Sequence, residues 1–268
     1  MKKVLTIAGS DSCGGAGIQA DIKAMSAQGV YAMSVITAVT AQNSMGVFAV
    51  QEIDIDIIKK QIEVLYSDIE IDAVKIGMLS TSNIIKAVSE TLKNMGAINI
   101  IIDPVMISKS GYYLLKNSAI DELKKFISQA MLVTPNIPEA EVLANMKICS
   151  EEDMIIAANI IKNLGAKNVL IKGGHRNDNC TDILLNNKNE ITKFSGIRFE
   201  TKNTHGTGCT LSSTIAAYLG KGFSVEDSIQ KSKEYISQAI KNSFEIGAGV
   251  GPVGHFIDIY NKADIQYK

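Results

Sequence analysis

Short, nearly unbroken runs of Val, Ile and Leu recur along this chain, and amphipathic stretches separate them. The runs predict strands over 4–8, 32–39, 73–76, 99–102, 131–134 and 168–171. A strand without polar alternation is buried on both faces, the pattern of a parallel sheet covered by helices on each side. Between the strands, helices are predicted over 17–28, 55–66, 83–94, 118–127, 138–144 and 151–164, and two more over 211–220 and 225–244 close the chain. In the first of these, Ile18, Ile22 and Met25 share a face and Gly29 ends the helix; in the second, Ile55, Ile58, Ile62 and Leu65 form the stripe. Segments 183–185 and 190–194 read as a hairpin across the turn sequence 186–189. No linker composition and no internal repeat interrupts the pattern. The expected architecture is one domain over 1–268, a three-layer α/β/α sandwich with a mainly parallel central sheet. With 46% hydrophobic residues the chain can fill such a core. Ligands of sheets of this kind bind beyond the carboxyl ends of the strands, so those ends are where chemistry is expected.

Charge narrows the partners. Lys and Arg number 27 against 28 Asp and Glu, with no long basic run, so neither nucleic acid nor an anionic membrane is expected. The first apolar run stops at Gly9, too short for a secretory signal core. Nothing approaches the roughly 20 apolar residues of a membrane span. Cys13, Cys149, Cys180 and Cys209 are scattered with no CxxC, which fits a reducing cytoplasm rather than a zinc site or a disulfide framework.

The most specific local feature is Asn203-Thr204-His205-Gly206-Thr207-Gly208-Cys209-Thr210, which feeds an apolar helix. First-turn amides lack partners and the helix dipole adds positive charge, so such a junction suits an anion. Glycines let backbone approach a ligand closely. The same field favours the thiolate of Cys209, a candidate base. A plain helix start with a buried Cys accounts for the segment equally well by itself.

The other strand ends add weaker signals. After the first strand, Gly14, Gly15 and Gly17 stand with Asp11 and Asp21 in a loop that fits neither GxGxxG nor GxxxxGK[ST]. Gln42, after the second strand, offers the donor and acceptor that read a heterocycle edge. Met78, after the third, suits a flat apolar pocket as well as plain core filling. Asp103, after the fourth, suits a magnesium or phosphate network, and Ser108-Lys109-Ser110-Gly111 resembles a mobile flap with a cation. Asn136 and Glu139 match both a site and an ordinary helix cap. Lys172 precedes Gly173-Gly174-His175 at the sixth strand end, where it would stabilise transferred phosphate or simply be solvated. None of the three His residues has metal-ligand spacing to another.

In order and spacing these segments resemble the ribokinase-type superfamily, and more closely the hydroxymethylpyrimidine/phosphomethylpyrimidine kinases of thiamine synthesis. The strings that carry the resemblance are Thr6-Ile7-Ala8-Gly9-Ser10-Asp11, Gly14-Gly15-Ala16-Gly17, Thr40-Ala41-Gln42-Asn43, Lys75-Ile76-Gly77-Met78-Leu79, Asp103-Pro104-Val105-Met106, Lys109-Ser110-Gly111, Thr134-Pro135-Asn136, Lys172-Gly173-Gly174-His175, the segment 203–211 and Gly251-Pro252-Val253-Gly254-His255. Together they cover essentially the whole chain. The resemblance implies a homodimer that uses ATP and Mg2+ to phosphorylate 4-amino-5-hydroxymethyl-2-methylpyrimidine and then its monophosphate. It implies catalytic roles for Gly206, Thr207, Gly208 and Cys209, with the pyrimidine among Gly9, Asp21, Gln42, Met78 and Val105. Lys172, His205 and Thr207 would face the nucleotide, Lys109, Ser110 and Gly111 would form the flap, and Asp103 and Glu139 would organise Mg2+ directly or through water. Some pyridoxal kinases also carry Cys at the position of Cys209, which leaves a vitamin B6 kinase as an alternative, although the flap segment 107–115 lacks the additional Cys that some of those enzymes use. A non-catalytic ligand-binding domain of the same fold is the third reading.

Overall fold

In the computed structural model, which describes residues 1–108, 111–174 and 180–265, the apolar run 4–8 lies inside strand β1 (Lys3–Asp11). Val4, Leu5 and Ile7 there have no exposed surface. On one side β1 pairs in parallel with β2 (Tyr31–Asn43), and on the other with β4 (Ala73–Ile76). The parallel ladder continues through β5 (Ile100–Ile102), β6 (Leu132–Val133) and β7 (Asn168–Ile171). Antiparallel strands finish both edges: β3 (Gly46–Glu52) beside β2, and the hairpin β8 (Asp182–Leu185) with β9 (Ile191–Phe194) beside β7. The sheet order is β3-β2-β1-β4-β5-β6-β7-β8-β9.

Successive side chains of a strand point to opposite faces, so a strand that is apolar throughout feeds two cores. In β5, Ile100 and Ile102 join one core while Ile101 joins the other. The first core is closed by α2 (Ile55–Asp68), α3 (Ser82–Asn94), α4 (Ile120–Phe126), α5 (Ile137–Ala144) and α6 (Glu151–Lys162), through residues such as Ile58, Ile62, Ile85 and Ala157. The second is closed by α1 (Gly17–Ala27), α7 (Thr207–Gly220) and α8 (Val225–Lys241), through Met25, Leu211, Ile215 and Ile229. This is the three-layer sandwich expected from the alternation of elements. No helix among the described residues is long and apolar enough to cross a membrane.

Several boundaries differ from expectation. The expected helix over 118–127 is a short 3-10 turn, Asn117–Ala119, followed by α4 and a second 3-10 turn, Ile127–Gln129. Strand β2 runs on to Asn43, β3 was not predicted, and a further helix α9 (Ile257–Lys262) follows the glycine-rich segment near the end. Helix α8 ends at Lys241, short of 244. Most consequential, α7 begins at Thr207 rather than at 211, which puts Gly208 and Cys209 inside its first turn.

Candidate active site

Two glycine loops interlock at the carboxyl ends of the central strands. Gly206, the N-cap of α7, has φ 79, and a side chain there would collide with the carbonyl oxygen of Gly15. A side chain on Gly15 would in turn run into the ring of His205. Close approach of backbone, which only glycine permits, therefore fixes the loop before α1 against the loop before α7. Asp11 ties the assembly together. Its carboxylate accepts from the amides of Cys13 (2.8 Å), Gly15 (3.0 Å) and Ala16 (2.8 Å), and Oδ2 lies 2.9 Å from His205 Nε2. Burial alone would raise the Asp11 carboxyl, but the bonds from His205 and these amides outweigh it and hold it below its usual range.

Helix α7 has no side-chain cap at its N-terminus. Its first-turn amides, Gly208 and Cys209 among them, have no carbonyl four residues back within the helix to accept them. A Cβ on Gly208 would lie 3.4 Å from Lys172 Nζ and 3.7 Å from Asp103 Oδ2, an ordinary contact distance with side chains and not with backbone. The glycine thus opens onto a charge pair. Lys172, at the end of β7, lies 2.8 Å from Asp103 Oδ1, at the end of β5, and Ser212 of α7 donates to Asp103 Oδ2 at 3.1 Å. Burial works against both charges. For Asp103 the Lys172 and Lys75 ammoniums prevail and hold the carboxyl below its usual range, and for Lys172 the Asp103 and Glu139 carboxylates prevail and raise it.

Glu139 is buried beside this pair. Burial pushes its carboxyl up to about 7, with Lys172 pulling the other way. It also completes the capping box of α5: Asn136 N donates to Glu139 Oε2 at 2.8 Å, and Glu139 N donates to Asn136 Oδ1 at 2.9 Å. The cap and the site position are the same residue. Mg2+ favours oxygen ligands and retains several waters, needing only one or two carboxylates from the protein. Two buried neighbouring carboxylates fit that demand, and among the described residues no group of three or more His, Cys, Asp or Glu forms a closed metal cage.

Two expectations are corrected here. Cys209 is not poised as a thiolate. Burial pushes its thiol up to about 11; Lys75 pulls it down, but Asp21 and Asp103 add to the rise, so the helix terminus does not decide the balance. Asp21, expected among the pyrimidine ligands, has no exposed surface and no free carboxylate edge. It lies 2.8 Å from Lys75 Nζ through both oxygens and accepts at 2.6 Å from Thr6 and at 2.6 Å from Ser213.

Of the other residues expected around the pyrimidine, Gly9 and Met78 adjoin each other. A Cβ on Gly9 would meet Met78 Sδ at 3.1 Å, so the absence of a side chain at Gly9 makes room for the thioether. Gln42 is half-buried, with Nε2 3.3 Å from His205 Nε2 and Oε1 accepting from Thr40 Oγ1 at 3.2 Å. The side chain of His205 consequently faces Asp11 and Gln42. Val105 is half-buried just past Asp103, to whose carbonyl it donates at 2.8 Å. Thr207 bonds back to Thr204 through both its amide and its hydroxyl, shaping the loop. Gly111, expected in the flap, has φ 87; Lys109, Ser110 and, after β7, His175 lie outside the described residues. The sequence alone assigns no role to Lys75, Ser212 or Ser213 and does not mark Asp11 as the centre of the loop. The signals were present: a lysine in the otherwise apolar strand AVKI, and adjacent serines in an apolar helix.

A mainly parallel sandwich with a glycine-opened helix terminus facing a Lys–Asp pair defines a ribokinase-like phosphotransferase, and solved structures agree. The pyridoxal kinase of Bacillus subtilis, solved as an ADP complex, superposes with a TM-score of 0.88 at 38% identity over 96% of this chain and 98% of that one. The phosphomethylpyrimidine kinase of Clostridium difficile superposes with a TM-score of 0.81 at 49% identity over 90% of this chain and 100% of that one. Among curated relatives, the hydroxymethylpyrimidine/phosphomethylpyrimidine kinase of Haemophilus influenzae is 42% identical over 96% of this chain and 97% of its own length. The phosphomethylpyrimidine kinase family matches residues 11–254, and the chain belongs to it. Its activity is phosphorylation of the hydroxymethylpyrimidine and then of the monophosphate, a phosphotransferase reaction of thiamine biosynthesis with ATP as co-substrate.

Proposed function

We propose that the loop 206–209 receives the transferred phosphoryl group in both phosphorylations. The observation that carries this reading is the opening of Gly208 onto Lys172 and Asp103. Phosphoryl transfer needs mostly positioning and charge stabilisation. The first-turn amides of α7 aim at the developing charge, each such donor being worth about 3 kcal/mol of barrier by analogy with oxyanion holes. Lys172 neutralises nucleotide phosphate. Asp103 and Glu139 would hold Mg2+, which would supply charge neutralisation. The pyrimidine lies among Gly9, Gln42, Met78 and Val105, and Gln42 reads its polar edge; His205 secures the neighbouring loop through Asp11. Lys109, Ser110 and Gly111 cover the phosphates. The enzyme acts in the cytoplasm as a homodimer.

Cys209 accepts the proton of the hydroxymethyl group. With its thiol at about 11, only a small thiolate fraction exists near neutral pH, and that fraction rises tenfold per pH unit until the pKa is approached. The monophosphate brings an oxygen that is already anionic, so its phosphorylation needs no base. Cys209→Ala should therefore depress the first phosphorylation by roughly 10²–10⁴-fold and the second far less. Steady-state rates of both steps from pH 7 to 9 test it. The rate of the first step should climb with pH in the natural protein and not in the variant. Equal small losses in both steps would leave Cys209 as a packing residue.

The likeness to a pyridoxal kinase keeps B6 alcohols as a second substrate class. The flap segment 107–115 carries no Cys, so the pyrimidine alcohol should be the better substrate in a coupled assay across both classes.

A further inference from the structure

Strand β4 is buried on both faces, yet it carries Lys75, which has no exposed surface and pairs at 2.8 Å with an equally buried Asp21 of α1. A sealed ion pair regains in Coulomb attraction about what it loses in hydration, and apolar side chains would fill the same space at least as well. Stability is thus a poor explanation for its presence. Its other contacts suggest a better one. Ser213 of α7 donates to Asp21 at 2.6 Å, and Ser213 stands one helical turn beyond Cys209. The preceding residue, Ser212, donates to Asp103 at 3.1 Å, and Asp103 pairs with Lys172. Adjacent serines therefore tie the start of α7 to two Lys–Asp pairs. One pair faces the glycine loop; the other is closed off beneath it. Since α7 has no side-chain cap of its own, these tertiary bonds add to the interlocked glycine loops in holding its start.

We infer that the Lys75–Asp21 pair positions the first turn of α7 for phosphoryl transfer through Ser213, and that Asp21 touches no substrate, an inference that rests on the phosphoryl reading of the loop. A misplacement of about 1 Å at a reacting centre can cost about 10²-fold in rate even when the altered residue is remote from the chemistry. The amides of Gly208 and Cys209 move with the helix that Ser213 anchors. Both phosphorylations use those amides, so both depend on the anchor, whereas pyrimidine binding does not.

The test compares Ser213→Ala, Asp21→Asn, Thr6→Val and Gly208→Ala by kcat and KM for each phosphorylation, by melting temperature, and by the stoichiometry of pyrimidine bound. Ser213→Ala should lower kcat roughly tenfold in both steps, the equivalent of about one lost hydrogen bond, with the pyrimidine KM unchanged. Asp21→Asn should lower kcat about 10²-fold, and adding Ser213→Ala to it should cost little more, because the two act through one bond. Thr6→Val removes a 2.6 Å bond to the same carboxylate on the oxygen that does not accept from Ser213, so it should lower the melting temperature and leave kcat alone. A selective rise in pyrimidine KM for Asp21→Asn would make Asp21 a substrate ligand and overturn the inference. So would a normal kcat in Ser213→Ala, or a loss of bound pyrimidine that fully accounts for the loss of rate. If Asp21→Asn does not fold, the contrast between Ser213→Ala and Thr6→Val still decides. Gly208→Ala separates the two levels: if it is fully active, the reading of the loop fails; if it is inactive while Ser213→Ala is normal, only the positioning role fails.

Discussion

At the scale of single residues, the site is a set of buried charges whose states follow from their neighbours. Asp103 and Lys172 keep each other ionised against burial, while Glu139, with less compensation, has its carboxyl at about 7. Cys209 shows why a motif does not settle chemistry. The helix terminus that favours a thiolate is visible in the sequence; the packing that pushes the thiol to about 11 arises from strands and helices far away in the chain. The role of Lys75 is hidden in the sequence for a similar reason. A lysine in a strand suggests a solvated position until its partner is known, and Asp21 lies on another element. Gln42 stands out in sequence because its amide chemistry is intrinsic to the residue, and its role as reader of the pyrimidine edge is a proposal. Replacing it, Gln42→Leu, should leave the polar edge of the pyrimidine unpaired and weaken its binding by about 1–3 kcal/mol. Calorimetric titration with the pyrimidine and with a non-hydrolysable ATP analogue checks this. Equal loss for both ligands would point to general damage to the site.

At the scale of elements, the parallel strands were legible because burial on both faces demands continuous apolar runs. Strand β3 was not, since its residues are mostly exposed and it adds only an edge to β2. The start of α7 precedes the apolar periodicity that marks the helix in sequence, because Gly208 and Thr210 carry none of it although they lie in the helix. The interlocked loops allow a contrast between neighbouring glycines. Gly206 combines φ 79 with direct contact against the Gly15 carbonyl, so Gly206→Ala should destabilise the protein by about 1–3 kcal/mol. Gly208 has ordinary space around a Cβ and no positive φ, so Gly208→Ala should cost little. Chemical denaturation of both variants checks the ordering; equal stabilities would mean that the loops do not lock as described.

At the scale of the whole molecule, one sheet brings the ends of β1, β5 and β7 and the start of α7 to a common point, although the residues that meet there range from Asp11 to Ser213. The same packing buries His255, which lies 2.9 Å from the Thr210 hydroxyl of α7. Burial drives its pKa down from 6.5 to about 4. The unfolded chain takes up that proton near 6.5 while the folded protein resists until about 4, so the stability contributed is complete above 6.5 and is lost as pH falls through that window. The loss reaches about 2 kcal/mol by pH 5. Asp103, held below the usual carboxylate range, adds a loss in the same direction at lower pH. Denaturant midpoints at pH 7 and pH 5 should therefore differ more in the natural protein than in His255→Gln; equal pH dependence would contradict the assignment. The central claim is that one glycine-opened helix terminus serves both phosphorylations. The most direct measurement is the steady-state kinetics of Gly208→Ala on the alcohol and on the monophosphate. The account predicts a collapse of kcat on both substrates with near-normal stability and pyrimidine KM; a variant that turns over either substrate at the normal rate would contradict it.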